Sequence, residues 1–195
     1  MLSSFPEDAQ SVLLEELLPI EIAWRHKSGE TTTADYDFRN LGNLPVSQEF
    51  PAYSICWHDA QAFCDWLSQR ESETYRLPTV AEWQLANAAG NTAKWFFGDD
   101  DACLTEFAWY KDNAGLGFHN VAKKRPDSLG IFDALGNEYE WCLGSVRGPP
   151  DEGLRPQVGG GFGDTAEEIS RWTRAPELVP MDRGLHGAFR VIREL

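Results

Sequence analysis

Residues 128–142 run Ser-Leu-Gly-Ile-Phe-Asp-Ala-Leu-Gly-Asn-Glu-Tyr-Glu-Trp-Cys. Around this stretch, glycine and aspartate interrupt almost every apolar run between Gly90 and Leu195, so only brief strands fit, such as Gln157–Val158 and residues 188–192. The chain has 17 glycines and 8 tryptophans in 195 residues. We therefore expect a core in which large rings fill the space between tight turns.

Two segments carry clear helical signals. The first places apolar side chains at the i, i+3, i+4 and i+7 positions of one face: Ala60, Phe63, Cys64 and Leu67. The second begins at Thr79, whose spacing to Glu82 is that of a capping box, and Gly90 is its natural end. The pattern also predicts a short helix over residues 8–18 and a strand over residues 20–24.

Length and composition favour one domain over residues 1–195, because 42% apolar and 25% charged residues are ordinary for a globular chain. No apolar run approaches the ~20 residues of a membrane helix, and the first residues lack a secretory signal pattern. We therefore expect a cytoplasmic protein. The formal net charge of −14 excludes nucleic acid as an expected partner. The four cysteines lack the spacing of a zinc site and are expected to be buried free thiols.

Four segments occur in an order that resembles one known family. They are residues 51–67 (PAYSICWHDAQAFCDWL), 75–83 (YRLPTVAEW), 128–142, and 159–162 (GGGF) followed by Arg174, Arg183 and 187–190 (GAFR). These segments resemble the motifs of the formylglycine-generating enzyme (sulfatase-modifying factor) family. The resemblance covers about residues 51–191 and leaves residues 1–50 as a divergent extension.

The resemblance implies a compact α+β domain related to the C-type lectin fold, with two main helices and short strands. It leaves function open, because the family includes copper-dependent oxidases, iron-dependent sulfoxide synthases, non-catalytic modules and variable binding proteins of diversity-generating retroelements. In the oxidase branch, two cysteines five residues apart hold Cu(I) just after the glycine motif. Counting from Gly159 puts Asp164 and Ile169 at those positions, and Cys142 is the last cysteine in the chain. We therefore expect no copper.

Iron is not expected either. The sulfoxide synthases use three histidines, and the four histidines of this chain lie in separate segments without a helical pair: His26, His58, His119 and His186. A three-histidine site would require long-range convergence. The arginines at family positions, Arg190 among them, are interpreted as structural groups that pair with carboxylates and loop carbonyls.

One ion site is implied by the resemblance. Family members with a Gly-Asn-x-x-Glu turn hold Ca²⁺ there, and the matching residues are Gly136, Asn137, Glu138 and Glu140. The alternative is that Asn137 and Glu140 satisfy loop amides without a metal. Both interpretations stay open on the sequence.

The leading functional hypothesis is a non-catalytic module that binds a protein or small ligand through loops 163–187. Candidate binding residues in or beside these loops are Asp164, Glu168, Arg171, Trp172 and His186. Trp172, between two arginines, is the expected exposed anchor. One alternative is an enzyme of the same family with a non-cysteine active site that uses Asp164, and another is a retroelement-diversified binding protein. Another protein is the expected partner, and a monomer is favoured.

Overall fold

The computed structural model describes residues 49–53, 55–144, 153–170, 178–180 and 187–194. The predicted helix over residues 8–18 and the predicted strand over residues 20–24 lie outside these ranges. In the described part, no helix is both long and apolar enough to cross a membrane.

Helix α1, Trp57–Glu71, confirms the first predicted helix. The four apolar side chains of its periodic face are all buried: Ala60, Phe63, Cys64 and Leu67. At its start the Cys56 amide donates to the Asp59 carboxylate at 3.0 Å, which satisfies one of the amides left without a partner at a helix N-terminus. Ser72 ends it in the left-handed conformation at φ 56°.

Helix α2, Val80–Ala88, follows the short strand β1, Tyr75–Arg76, and confirms the second predicted helix. The predicted capping box is present: the Thr79 amide donates to Glu82 Oε2 at 2.8 Å and the Glu82 amide donates to Thr79 Oγ1 at 3.2 Å. Arg76 binds both carboxylate oxygens of Glu82, at 2.7 and 2.8 Å, so β1 and the first turn of α2 are joined.

The middle of the chain is nearly all turns. A 3₁₀ turn at Asp101–Cys103 leads into α3, Leu104–Phe107. A core cluster forms around this region from buried side chains that lie far apart in sequence: Trp95, Leu104, Ala108, Tyr110, Leu135 and Ile169. Ring and aliphatic side chains therefore hold together a region with little regular backbone pairing, as the composition predicts.

Two small sheets complete the fold. Strand β2, Glu140–Trp141, lies between β3, Gln157–Val158, which is antiparallel to it, and β4, Ala188–Phe189, which is parallel. Strand β1 pairs antiparallel with β5, Ile192–Arg193. The expected single strand over residues 188–192 is wrong, because β4 and β5 pair with different strands and Arg190 between them turns towards Glu140.

The ring-filled core is confirmed in part. Trp83, Trp95 and Trp141 are at most 2% exposed, whereas Trp57, Trp66 and Trp109 are half-buried. All four cysteines are free, and three of them are fully buried: Cys56, Cys64 and Cys142. Burial raises the pKa of the Cys64 thiol to about 12 and also raises the pKa of Cys142, so neither is a ready thiolate.

Candidate functional site

The carboxylate of Glu140 forms a buried ion pair in the centre of the three-stranded sheet. Arg190 donates to both of its oxygens, Nε to Oε2 at 2.6 Å and Nη2 to Oε1 at 2.8 Å. The indole of Trp83 donates to Oε2 at 2.8 Å. Arg190 also reaches the carbonyl of Phe132 at 3.3 Å. The structural role predicted for Arg190 is therefore confirmed.

Asn137 holds a neighbouring loop in place. It adopts the left-handed conformation at φ 61°, which asparagine tolerates better than most residues. Its Oδ1 accepts from the His119 amide at 2.9 Å, and its Nδ2 donates to the His119 carbonyl at 3.0 Å. Both polar atoms of this buried side chain are therefore bonded to the backbone of one residue.

Glu138 and Gly136 also make structural contacts in this turn. Glu138 Oε1 accepts from the Tyr139 amide at 2.9 Å and from the Gly187 amide at 3.1 Å, which ties the turn to the start of β4. Gly136 has φ 67°, and a Cβ there would overlap the backbone of Trp109. Only glycine permits that approach.

Most side-chain oxygens of this turn already have hydrogen-bond partners within the protein. The side-chain oxygens of Asn137 and Glu140 accept hydrogen bonds from the protein, and so does Glu138 Oε1. The space between these residues and Asp133 is only about 10 Å³, about the least that can hold one water. In the described part of the chain, no cluster of three or more His, Cys, Asp or Glu side chains could hold a metal ion. Calcium at this turn therefore stays a prediction from the resemblance.

A further buried carboxylate, Asp133, lies beside the turn. Burial raises the pKa of Asp133, and the Ala122 amide, which donates to its Oδ2 at 2.6 Å, acts in the opposite direction. Asp133, Glu138 and Glu140 are each at most 5% exposed. The turn region is therefore a buried, charged part of the core in which Arg190 neutralises Glu140.

The two positions that correspond to copper cysteines do not fit Cu(I). Ile169 has no exposed surface, and it packs in the cluster of Trp95, Leu104 and Leu135. A Cβ on Gly160 would overlap the Ile169 side chain, so the backbone of Gly160 lies directly against Ile169. Asp164 offers a hard oxygen in place of a soft sulfur, and Cu(I) prefers sulfur.

Asp164 is fixed by local bonds. Its Oδ2 accepts from the Gly161 amide at 2.7 Å, and its backbone carbonyl accepts from the Lys111 amide at 2.9 Å. The hydroxyl of Tyr139 also bonds to its carboxylate, and burial together with this bond raises the pKa of Tyr139. The side chain therefore closes the turn after the glycine motif and joins it to Tyr139.

Glu168 is exposed and closes the next turn. Its Oε2 accepts from the Thr165 amide at 2.8 Å and from the Thr165 hydroxyl at 2.7 Å, and these bonds lower the pKa of Glu168. The remaining predicted binding residues lie outside the described residues: Arg171, Trp172 and His186. The structure therefore brings Asp164 and Glu168 onto adjacent turns, while the binding assignment of all five stays a prediction.

A cavity of about 250 Å³ lies near residue 50, and no pattern in the sequence predicts it. Its lining residues are Phe50, Tyr53, Ala114, Leu116, Gly117, Phe118 and His119. The Tyr53 and Phe118 rings stack with their centroids 5.2 Å apart, and Phe118 meets Phe162 edge to face at 5.1 Å. These rings come from separate irregular segments, so no spacing in the sequence signals that they meet.

Comparison with known proteins agrees with the sequence motifs. A family model of sulfatase-modifying factor enzyme 1-like domains matches residues 17–195, and so begins earlier in the chain than the motifs themselves. The chain is 28% identical over 161 residues to the inactive C-alpha-formylglycine-generating enzyme 2 of Bos taurus, across 77% of this chain and 48% of that protein. It is 30% identical over 129 residues to the formylglycine-generating enzyme of Mycobacterium tuberculosis, across 60% of this chain and 38% of that protein. The chain thus spans less than half the length of these relatives.

Solved structures show the same fold. PvdO from Pseudomonas aeruginosa matches with a TM-score of 0.69 at 25% identity, covering 78% of this chain and 65% of that chain. Treponema denticola variable protein 1 matches with a TM-score of 0.66 at 25% identity, covering 76% and 73%. The few helices and very short strands described above are the α+β, C-type-lectin-like architecture of these proteins. This chain belongs to the sulfatase-modifying factor enzyme 1-like domain family of formylglycine-generating enzymes.

Proposed function

We propose that this domain is a non-catalytic binding module that contacts a protein or a small ligand through loops 163–187. The burial of Ile169 carries the proposal: the position that the resemblance assigns to a copper thiolate is a fully buried part of the hydrophobic core. Apolar side chains pack around Ile169, so this position presents no open ligand site. Similarity to a relative that is itself described as inactive supports the same conclusion.

We propose these loops as the binding surface because their described part has a hydrogen-bonded turn that carries exposed carboxylates on the turn after it. Asp164 is bonded at the base of the first turn, and Glu167 and Glu168 are exposed on the next. Loops that carry binding residues on a rigid scaffold are a common arrangement. We expect a protein partner that meets this acidic surface and Trp172, and we keep a cytoplasmic location and a monomeric state as predictions.

A second candidate is a variable binding protein of a diversity-generating retroelement. The match to Treponema denticola variable protein 1 favours it. Adenine-rich codons in the C-terminal segment, beside a template repeat and a reverse transcriptase gene, would support this origin. If these features are absent from the native locus, the chain is not a variable protein of a diversity-generating retroelement.

The proposal is tested by affinity capture from the native host with three forms of the protein. Wild type and Leu85→Ala, a control at a 73% exposed leucine on α2, should enrich the same partner. Trp172→Ala should weaken its capture about tenfold while the melting temperature stays within a few degrees, as expected of an exposed interface anchor. Equal capture by Trp172→Ala, or a large loss of stability, would contradict the anchor and require another binding surface.

A further inference from the structure

The cavity beside residue 50 is lined mainly by aromatic rings. Phe50, Tyr53, Phe118 and His119 supply four rings, and the exposed Leu116, 97% accessible, lies at the same cavity. An isolated exposed leucine needs no explanation. A leucine beside a concave aromatic surface is different, because apolar pockets are where small ligands bind.

The walls of this cavity are held in place before any ligand arrives. The His119 ring stacks on Trp109 with the centroids 3.7 Å apart, and its Nε2 bonds to the Ala114 carbonyl at 2.8 Å. Both backbone polar groups of His119 are bonded to the side chain of Asn137. The family-motif asparagine therefore positions the loop that forms one wall, and preorganised walls lower the entropic cost of binding.

The segment that carries Phe50 and Tyr53 is fixed to this loop. Tyr53 stacks on Phe118 with an interplanar angle of 23°, and Phe118 packs edge to face against Phe162. A hydrogen bond from the Val121 amide to the Glu49 carbonyl, at 2.7 Å, joins the segment before Phe50 to the end of the loop. The two sides of the cavity thus form one unit.

The chemistry of the lining selects the ligand. No carboxylate, ammonium or guanidinium side chain is among the described residues that line the cavity, so an anionic ligand would find no opposite charge there. The volume of about 250 Å³ is below the ~300 Å³ at which sites for drug-sized molecules begin, so it suits one ring system with a short substituent. Ring faces favour another ring, because offset and edge-to-face aromatic pairs are stabilised beyond the area they bury.

We propose that this cavity is a binding site for a neutral planar aromatic group, separate from the loops of the proposed function. Either a free aromatic molecule or a ring on a larger ligand presents the same chemistry. The cavity residues lie outside residues 163–187, so the outcome of its test is independent of the partner-capture experiment.

The test compares two neutral alcohols that differ only in ring saturation. Benzyl alcohol and cyclohexylmethanol are titrated into the full chain, with binding followed by saturation-transfer NMR and calorimetry. Benzyl alcohol should bind about three- to tenfold more tightly, as expected for ring–ring contacts. Equal binding of the two alcohols would show a merely apolar space, and tighter binding of tetramethylammonium would show a cation site; either result overturns the proposal.

Matched variants locate the binding. Phe118→Leu keeps apolar bulk in the cavity but removes one ring, and it should weaken benzyl alcohol binding about three- to tenfold. Phe107→Leu is the control, since this ring stacks on Phe97 at 4.4 Å in a different cluster, and it should leave binding unchanged. Binding of N-acetyl-tryptophanamide with the same dependence on Phe118 would extend the site to rings on peptides. No detectable binding of benzyl alcohol, or binding that Phe118→Leu does not weaken, contradicts the proposal.

Discussion

Replacing Arg190 with alanine would leave a carboxylate without its cation inside the three-stranded sheet. The side chain of Glu140 is 1% exposed and that of Arg190 is 18% exposed, and two hydrogen bonds of 2.6 and 2.8 Å join them. Breaking such a pair by removing one partner costs about 3–5 kcal/mol. Because Trp83 Nε1 still donates to Glu140 at 2.8 Å, we expect the lower end, about 3 kcal/mol. For a chain of this size the melting temperature should fall by about 6–12 °C.

Two control variants separate this pair from ordinary charge removal. Arg76→Ala breaks contacts with Glu82 and Glu194 whose side chains are 37% and 49% exposed, and solvent screening should limit its cost to about 1 kcal/mol. The double variant Glu140→Gln with Arg190→Met removes both charges and keeps an acceptor for Trp83. It should recover most of the stability, since a buried pair can often be replaced by neutral groups at little cost.

The assay is urea unfolding followed by tryptophan fluorescence, with calorimetry for the melting temperature. A loss of less than about 1 kcal/mol in Arg190→Ala, the range of an exposed ion pair, would contradict a buried pair that stabilises the fold. A double variant as unstable as Arg190→Ala would also contradict it, because the cost would then not come from an unpaired charge.

Three further predictions concern the same scaffold. Adding millimolar Ca²⁺ to chelator-treated protein should leave the melting temperature where Mg²⁺ leaves it, because Asn137 Oδ1, Glu138 Oε1 and both carboxylate oxygens of Glu140 already accept protein hydrogen bonds. A rise specific to Ca²⁺ that Asn137→Ala abolishes would restore the calcium site. Hydrogen bonds from Arg76 and from Thr79 lower the pKa of Glu82 from 4.5 to about 2. Ionised Glu82 therefore stabilises the fold above about pH 4.5, and this contribution is lost as the pH falls towards 2. The free energy of unfolding that Glu82→Gln loses, measured in urea, should be larger at pH 7 than at pH 2.5. Gly160→Ala should cost about 2 kcal/mol or more in the same assay, because φ is 75° and the new Cβ would overlap Ile169, whereas Gly163→Ala, with open space around its Cβ, should change stability little.

The helices were predictable because their signals are local. The spacing from Ala60 to Leu67 gives a buried face within one segment, and Thr79 with Glu82 forms a capping box within one turn. The division of residues 188–192 into two strands was not predictable in this way, since it depends on which distant strand each half meets and on the turn of Arg190 towards Glu140.

In the candidate site, too, local motifs were predictable and contacts between distant segments were not. The family motifs in the sequence show that Asp164 and Ile169 stand where copper cysteines would be expected, but the dense packing around Ile169 is visible only in the structure. The use of Asn137 to hold His119, and the meeting of Tyr53 with Phe118, join segments without a periodic or spacing signal. A sequence pattern therefore identified the turn but not what its oxygens bind.

An assay for formylglycine formation tests most directly whether the domain is non-catalytic. Purified protein is supplied with Cu(I) and a peptide containing Cys-x-Pro-x-Arg, beside the formylglycine-generating enzyme of Mycobacterium tuberculosis as a positive control. Mass spectrometry should show the peptide cysteine unoxidised, at the level of the no-enzyme control, because a buried isoleucine and a hydrogen-bonded aspartate occupy the positions that the resemblance assigns to copper thiolates. Formylglycine above that control would contradict the proposal that the domain is non-catalytic.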